Sequence, residues 1–119
     1  MWLILIILLL LDSVYLTIIK GQFGAQIKRI QAHSINVNWL GFAATYLALA
    51  FGIQHFIVDQ KKNSWDAFVL GIVIYAVYEF TNLALFTNWS FGLAIIDVVW
   101  GGILFALTVY IFRLIISRH

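Results

Sequence analysis

The sequence predicts an all-α fold: a polytopic membrane protein built as a four-transmembrane-helix bundle, with a short amphipathic segment between helices 1 and 2. Three observations predict it. Hydrophobic residues make up 64% of the 119 residues and charged residues only 10%, against about 45–50% and about 25% in soluble domains. Mean hydropathy is +1.01. The apolar residues fall into four runs, each near the roughly 20 residues that a helix needs to cross a hydrocarbon core of about 30 Å. A small soluble domain leaves much of its surface in water, and seven Lys or Arg with five Asp or Glu cannot cover such a surface. In lipid, helix is the required conformation for these runs, because an open sheet edge would leave backbone N–H and C=O groups unpaired.

The first span, residues 1–19, is apolar except for Asp12, Ser13, Tyr15 and Thr17, and Lys20 and Gly21 close it. It has no basic n-region and Asp12 interrupts it, which argues for a retained span over a cleaved signal peptide. Between Lys20 and Asn38, Phe23, Ile27 and Ile30 recur at i, i+4 and i+7, while Gln26, Lys28 and Arg29 lie elsewhere around the helix. That spacing predicts a short amphipathic helix in the interface; an ordered polar loop is the alternative. The second span covers residues 39–58, with Ala44, Ala48 and Gly52 as its close-packing face. A polar loop, DQKKNSW, leads to the third span, residues 66–86. Thr87, Asn88 and Trp89 leave room only for an antiparallel hairpin, with Trp89 at headgroup depth. The fourth span runs over residues 90–112 and ends at Arg113. With no proline in the chain, the spans are expected to run unkinked. Residues 1–119 form one domain.

Orientation rests on few charges. An even number of spans puts both termini and the second loop on one side, with Lys61, Lys62, Arg113 and Arg118. The other side carries Lys20, Lys28 and Arg29. The excess points to both termini inside a plasma or inner membrane, and the near balance leaves dual insertion open.

The informative residues are the acids. Asp12, Glu79 and Asp97 lie inside spans one, three and four, where an ionised carboxylate costs at least about 2.5–3.5 kcal/mol. At 1.5 Å rise per residue, measured from the face that holds the N-terminus, they lie roughly 15, 20 and 22 Å deep. They can therefore share one environment. Tyr75, Tyr78, Glu79 and Asn82 stand at i, i+3, i+4 and i+7 on one stripe of span three. Asp12 with Tyr15, and Asp97 with Trp100, repeat an acid followed by an aromatic at i+3. These stripes are expected to meet inside the bundle, where three acids without a Lys or Arg at their depth cannot all be ionised. The site residues are thus Asp12, Glu79 and Asp97 for a proton or small cation, with Tyr15, Tyr75, Tyr78, Asn82 and Trp100 lining it. His55, nearer the interface, is an accessory candidate. Tyr46 and Tyr110 read as ordinary lipid or core aromatics.

The rest of the sequence excludes function classes. It has no Cys, hence no thiolate metal site or disulfide. It has no phosphate loop, dinucleotide fingerprint, HExxH helix or nucleophile elbow, and no basic stripe for nucleic acid. No cofactor, metal or catalytic residue is implied. The expected partners are the lipid bilayer and further copies of the chain, since four helices are thin for a private aqueous path. Three functions stay open: a proton-linked transporter or channel, a non-catalytic membrane subunit or scaffold whose acids are structural, and a membrane enzyme acting on lipid through a carboxyl acid or base.

Three marks carry a family resemblance: the run Leu11, Asp12, Ser13, Val14, Tyr15, Leu16; the run Tyr75, Tyr78, Glu79, Thr81, Asn82, Ala84; and the run Trp89, Asp97, Trp100, Gly101. By these the chain resembles domain of unknown function 2177, a family of small integral membrane proteins, from Leu11 to about Leu114. The family pattern usually has Trp where this chain has Tyr15 and Asp where it has Glu79, and has a proline near the end of span two. The resemblance implies a compact four-helix membrane protein and brings no substrate or reaction.

Overall fold

The structure, a computed structural model, describes residues 1–31, 39–86 and 89–117. They form four helices and no strand: α1 (Trp2–Gln31), α2 (Trp39–Ile53), α3 (Ser64–Leu85) and α4 (Phe91–Ser117), with a π-helical turn, Gln54–Val58, continuing α2.

Three expectations about continuity need correction. Lys20 and Gly21 do not end the first helix, which runs on as one piece to Gln31. A single glycine costs only about 1 kcal/mol in a helix interior, and the Gln, Ala, Lys and Arg residues that follow are good helix formers. The interfacial face expected of Phe23, Ile27 and Ile30 lies outside the described side chains, and 32–38 lie outside the described residues. The second correction is at the end of α2, which is not regular despite the lack of proline. The Asp59 N–H reaches back five residues to the Gln54 carbonyl at 2.8 Å, and Gln54 Nε2 donates to Asp59 Oδ1 at 2.6 Å. A side-chain bond across the same five-residue interval thus holds the wider turn.

The loop that follows is fixed locally. The Lys62 N–H bonds the Ile57 carbonyl and the Lys61 N–H that of Val58, with Lys61 left-handed at φ 56°. This is a Schellman ending with lysine at the position glycine usually takes. Asn63 then caps α3, its side chain accepting from the Asp66 N–H at 2.9 Å, so α3 starts at Ser64, two residues earlier than expected. Arg113 does not end α4. It stays within the helix, and its guanidinium donates to the Lys62 carbonyl, tying α4 to this loop. Thr87 and Asn88 of the expected hairpin turn lie outside the described residues.

Packing is closest between α3 and α4, and α1 packs on both α4 and α2. Three glycines set the first contact. A Cβ on Gly71 would collide with the backbone of Gly101, one on Gly101 with the Tyr75 ring, and one on Gly102 with Ile72 and Phe68. Small residues let the two backbones approach so closely. The small-residue face expected on α2 is not used in this way. Ala44 and Ala48 are exposed, and a Cβ on Gly52 would meet nothing within 4 Å. The face of α2 turned inward carries Tyr46, Ala50, Ile53 and Ile57, about half a turn around from that stripe.

The apolar core gathers Ile4 and Leu8 of α1, Ala50, Ile53 and Ile57 of α2 and its π-helical turn, Ala67 of α3, and Leu104, Phe105 and Val109 of α4. One helical turn along from Leu8, Ala50 and Leu104 stand Asp12, Tyr46 and Trp100. The core therefore ends where the polar residues begin. Beyond it α2 and α3 make little direct contact, leaving a seam along one side.

Candidate functional site

Asp12 is 6% exposed, and each of its oxygens has a donor. Trp100 Nε1 of α4 reaches Oδ1 at 2.9 Å, and the Tyr46 hydroxyl of α2 donates to Oδ2. One carboxyl thus ties three helices together. Tyr15, one turn further along α1, stacks on Trp100 with ring centroids 4.8 Å apart and planes 6° from parallel, and its hydroxyl donates to Asp97 Oδ1 at 3.1 Å.

The two acid–aromatic pairs are thus exchanged between helices. Within each helix Asp12 precedes Tyr15 and Asp97 precedes Trp100 by three residues, but Asp12 accepts from Trp100 and Asp97 from Tyr15. Antiparallel packing of α1 on α4 causes this, because position 12 then faces 100 and 15 faces 97.

Glu79 of α3 is 1% exposed. Its Oε2 accepts from Trp89 Nε1 at 2.7 Å, and its carboxyl has that of Asp97 as a close neighbour. Among the described residues no N–H or O–H donor reaches Oε1. Asp97 is half-buried and faces a cavity of about 360 Å³ lined also by Thr45, Leu49, Ile74, Tyr75 and Tyr78.

The remaining candidates divide. Tyr75 packs on Gly101 and edge-on to Phe105 at 6.4 Å, so it is both a packing residue and a cavity wall. Tyr78 is 56% exposed. Asn82 is half-buried, and its Nδ2 has no acceptor among the described residues. His55 is not brought to the acids. It is exposed in the π-helical turn, stacked on Phe51 and edge-on to Phe56. Among the described residues no three of His, Asp or Glu could hold a metal ion.

Sequence reasoning missed two residues. Tyr46 is not an ordinary core aromatic but a donor to Asp12; counted back from Val58 it lies about 18 Å deep, close to the depth of Asp12, and that arithmetic would have found it. Trp89 is not simply a headgroup anchor, since its indole turns back to Glu79. Its spacing of ten residues from Glu79 spans a helix end and a turn, so no periodicity gives the contact.

Among the described residues the chain carries two helices, α3 and α4, long and apolar enough to cross a bilayer. It belongs to the family described as predicted membrane protein, DUF2177, which it matches over residues 1–112. No curated protein and no solved structure matches it.

Proposed function

We propose that this is a small proton-linked transporter or channel: a single four-span domain of the plasma or inner membrane, assembled as a homo-oligomer. Asp12, Glu79 and Asp97 form its proton or cation site, and Tyr15, Tyr75, Tyr78, Asn82 and Trp100 line or orient it. The nearness of the Glu79 and Asp97 carboxyls carries the reading. Two ionised carboxylates close together in a low-dielectric site repel each other, so such a pair holds a proton between them. Such a pair titrates as one unit and can release and recover that proton. Within the site Asp12 is also an anchor, because Trp100 and Tyr46 donate to its two oxygens and tie α1 to α4 and α2.

The four-span reading is supported by α3 and α4, by the shorter apolar stretches Trp2–Ile18 and Ala43–Val58 of the other helices, and by exposed Val69, Val73, Val77 and Phe80 along one side of α3. An apolar strip of that length suits lipid and not water. A second reading, a scaffold whose acids only hold the bundle together, is favoured by the ties of Asp12 to α2 and α4.

Proton flux into proteoliposomes under an imposed pH gradient tests the proposal. The parent chain is expected to raise flux above that of empty liposomes, and Glu79→Gln to lower it at least tenfold while keeping the parent's helicity. No flux from the parent, with the Glu79→Gln chain folding normally, would hand the protein to the scaffold reading.

A further inference from the structure

The seam between α2 and α3 opens into the cavity at Asp97, and its lining is of two kinds. Leu49, Ile74 and the rings of Tyr75 and Tyr78 give apolar and aromatic walls, while the Asp97 carboxyl and the Thr45 side chain give polar ones. The cavity, about 360 Å³, falls in the range that holds small organic ligands. Charge selects among them. On the proposed reading, in which Glu79 and Asp97 share one proton, the pair keeps one negative charge, and among the described residues no Lys, Arg or His contacts it. Arg113 lies sixteen positions further along α4, about 24 Å away.

We infer that this cavity binds a monovalent organic cation with a compact apolar or aromatic body, entering from the side through the seam. A cation at Asp97 neutralises the pair inside a low-dielectric wall, where an uncompensated charge is costly. Tyr75 and Tyr78, which line the cavity, favour a cation further, since an aromatic ring attracts a cation lying over it. An anion would double the charge. A neutral hydrocarbon would leave the carboxyl uncompensated. The inference rests on the reading of Asp97 as an ionisable member of the carboxyl site, and names the class of molecule that site would move.

The test is equilibrium dialysis of the intact chain in nanodiscs against benzyltrimethylammonium, with benzylsulfonate as the anion of similar size and protein-free nanodiscs as reference. Saturable binding of about one cation per chain is expected, with at least tenfold preference over the anion. Asp97→Asn and the cavity-filling Leu49→Trp should each weaken binding at least tenfold. Should Asp97→Asn fail to fold, Leu49→Trp and the cation–anion comparison decide. Binding that does not saturate, that is equal for the anion, or that survives Leu49→Trp overturns the inference. Saturable cation binding without proton flux would overturn the transport reading and leave this site standing; flux without cation binding would do the reverse.

Discussion

The bond from Tyr46 to Asp12 is a direct measure of how strongly the polar layer holds the helices. Tyr46→Phe removes only the hydroxyl and keeps the ring that fills its place between α1 and α2. Tyr46 is 7% exposed and Asp12 6%, so water cannot take over as donor, and Asp12 keeps only the Trp100 bond at 2.9 Å. Hydrogen bonds to charged groups contribute about 1.5–3 kcal/mol. Polar contacts between membrane helices average about 0.6 kcal/mol and reach about 1.7. A buried carboxylate with one remaining donor belongs at the upper end of the second range. The expected loss is about 1.5 kcal/mol, or roughly a tenfold fall in the folded-to-unfolded ratio. Reversible unfolding in mixed micelles, run on the parent, Tyr46→Phe, Asp12→Leu and the double variant, isolates the pair. A coupling of at least about 1 kcal/mol is expected. If Tyr46→Phe costs as much beside Asp12→Leu as it does in the parent chain, the bond contributes nothing and the account of Asp12 as an anchor is wrong.

Two further outcomes follow from backbone geometry. Gly71→Ala should destabilise the chain by about 1–3 kcal/mol, the usual penalty for overpacking, because its Cβ would strike the Gly101 backbone rather than a movable side chain. The same micelle titration reads it, and no loss of stability would refute the close approach of α3 and α4. Lys61→Gly should stabilise the chain by about 1 kcal/mol, since glycine adopts the left-handed conformation without the Cβ penalty; a destabilised variant would refute the Schellman ending.

How much was legible in the sequence varied with the range of the interaction. The helices and the apolar composition follow from local properties, which a linear chain displays openly. The acids stand out for the same reason, since Asp12, Glu79 and Asp97 break apolar runs. Partners were harder. The acid–aromatic spacing at 12 and 15, and at 97 and 100, shows which residues share a face. It does not show that each acid takes its donor from the other helix, because that depends on the packing of α1 against α4. Helix ends were least legible. Lys20 and Gly21 resemble a stop, yet their intrinsic cost is too small to break a helix without proline. The turn at Gln54 is held by a side chain five residues away, a spacing that no regular period contains. The small residues of α2 and those of α3 and α4 are alike in composition, and only the direction each face takes in the bundle separates the exposed Ala48 from the packed Gly71.

The exchanged pairing of α1 with α4 also limits how the molecule can move. Sliding one helix along the other by a single turn would set Asp12 against Asp97 in one direction and carry both acids away from their donors in the other. The crossing therefore works as a detent with one resting notch, and piston strokes of α1 are disfavoured in either sense. A motion that keeps both bonds is a tilt of the helices about this crossing, and the side where α2 and α3 make little contact offers it the least resistance.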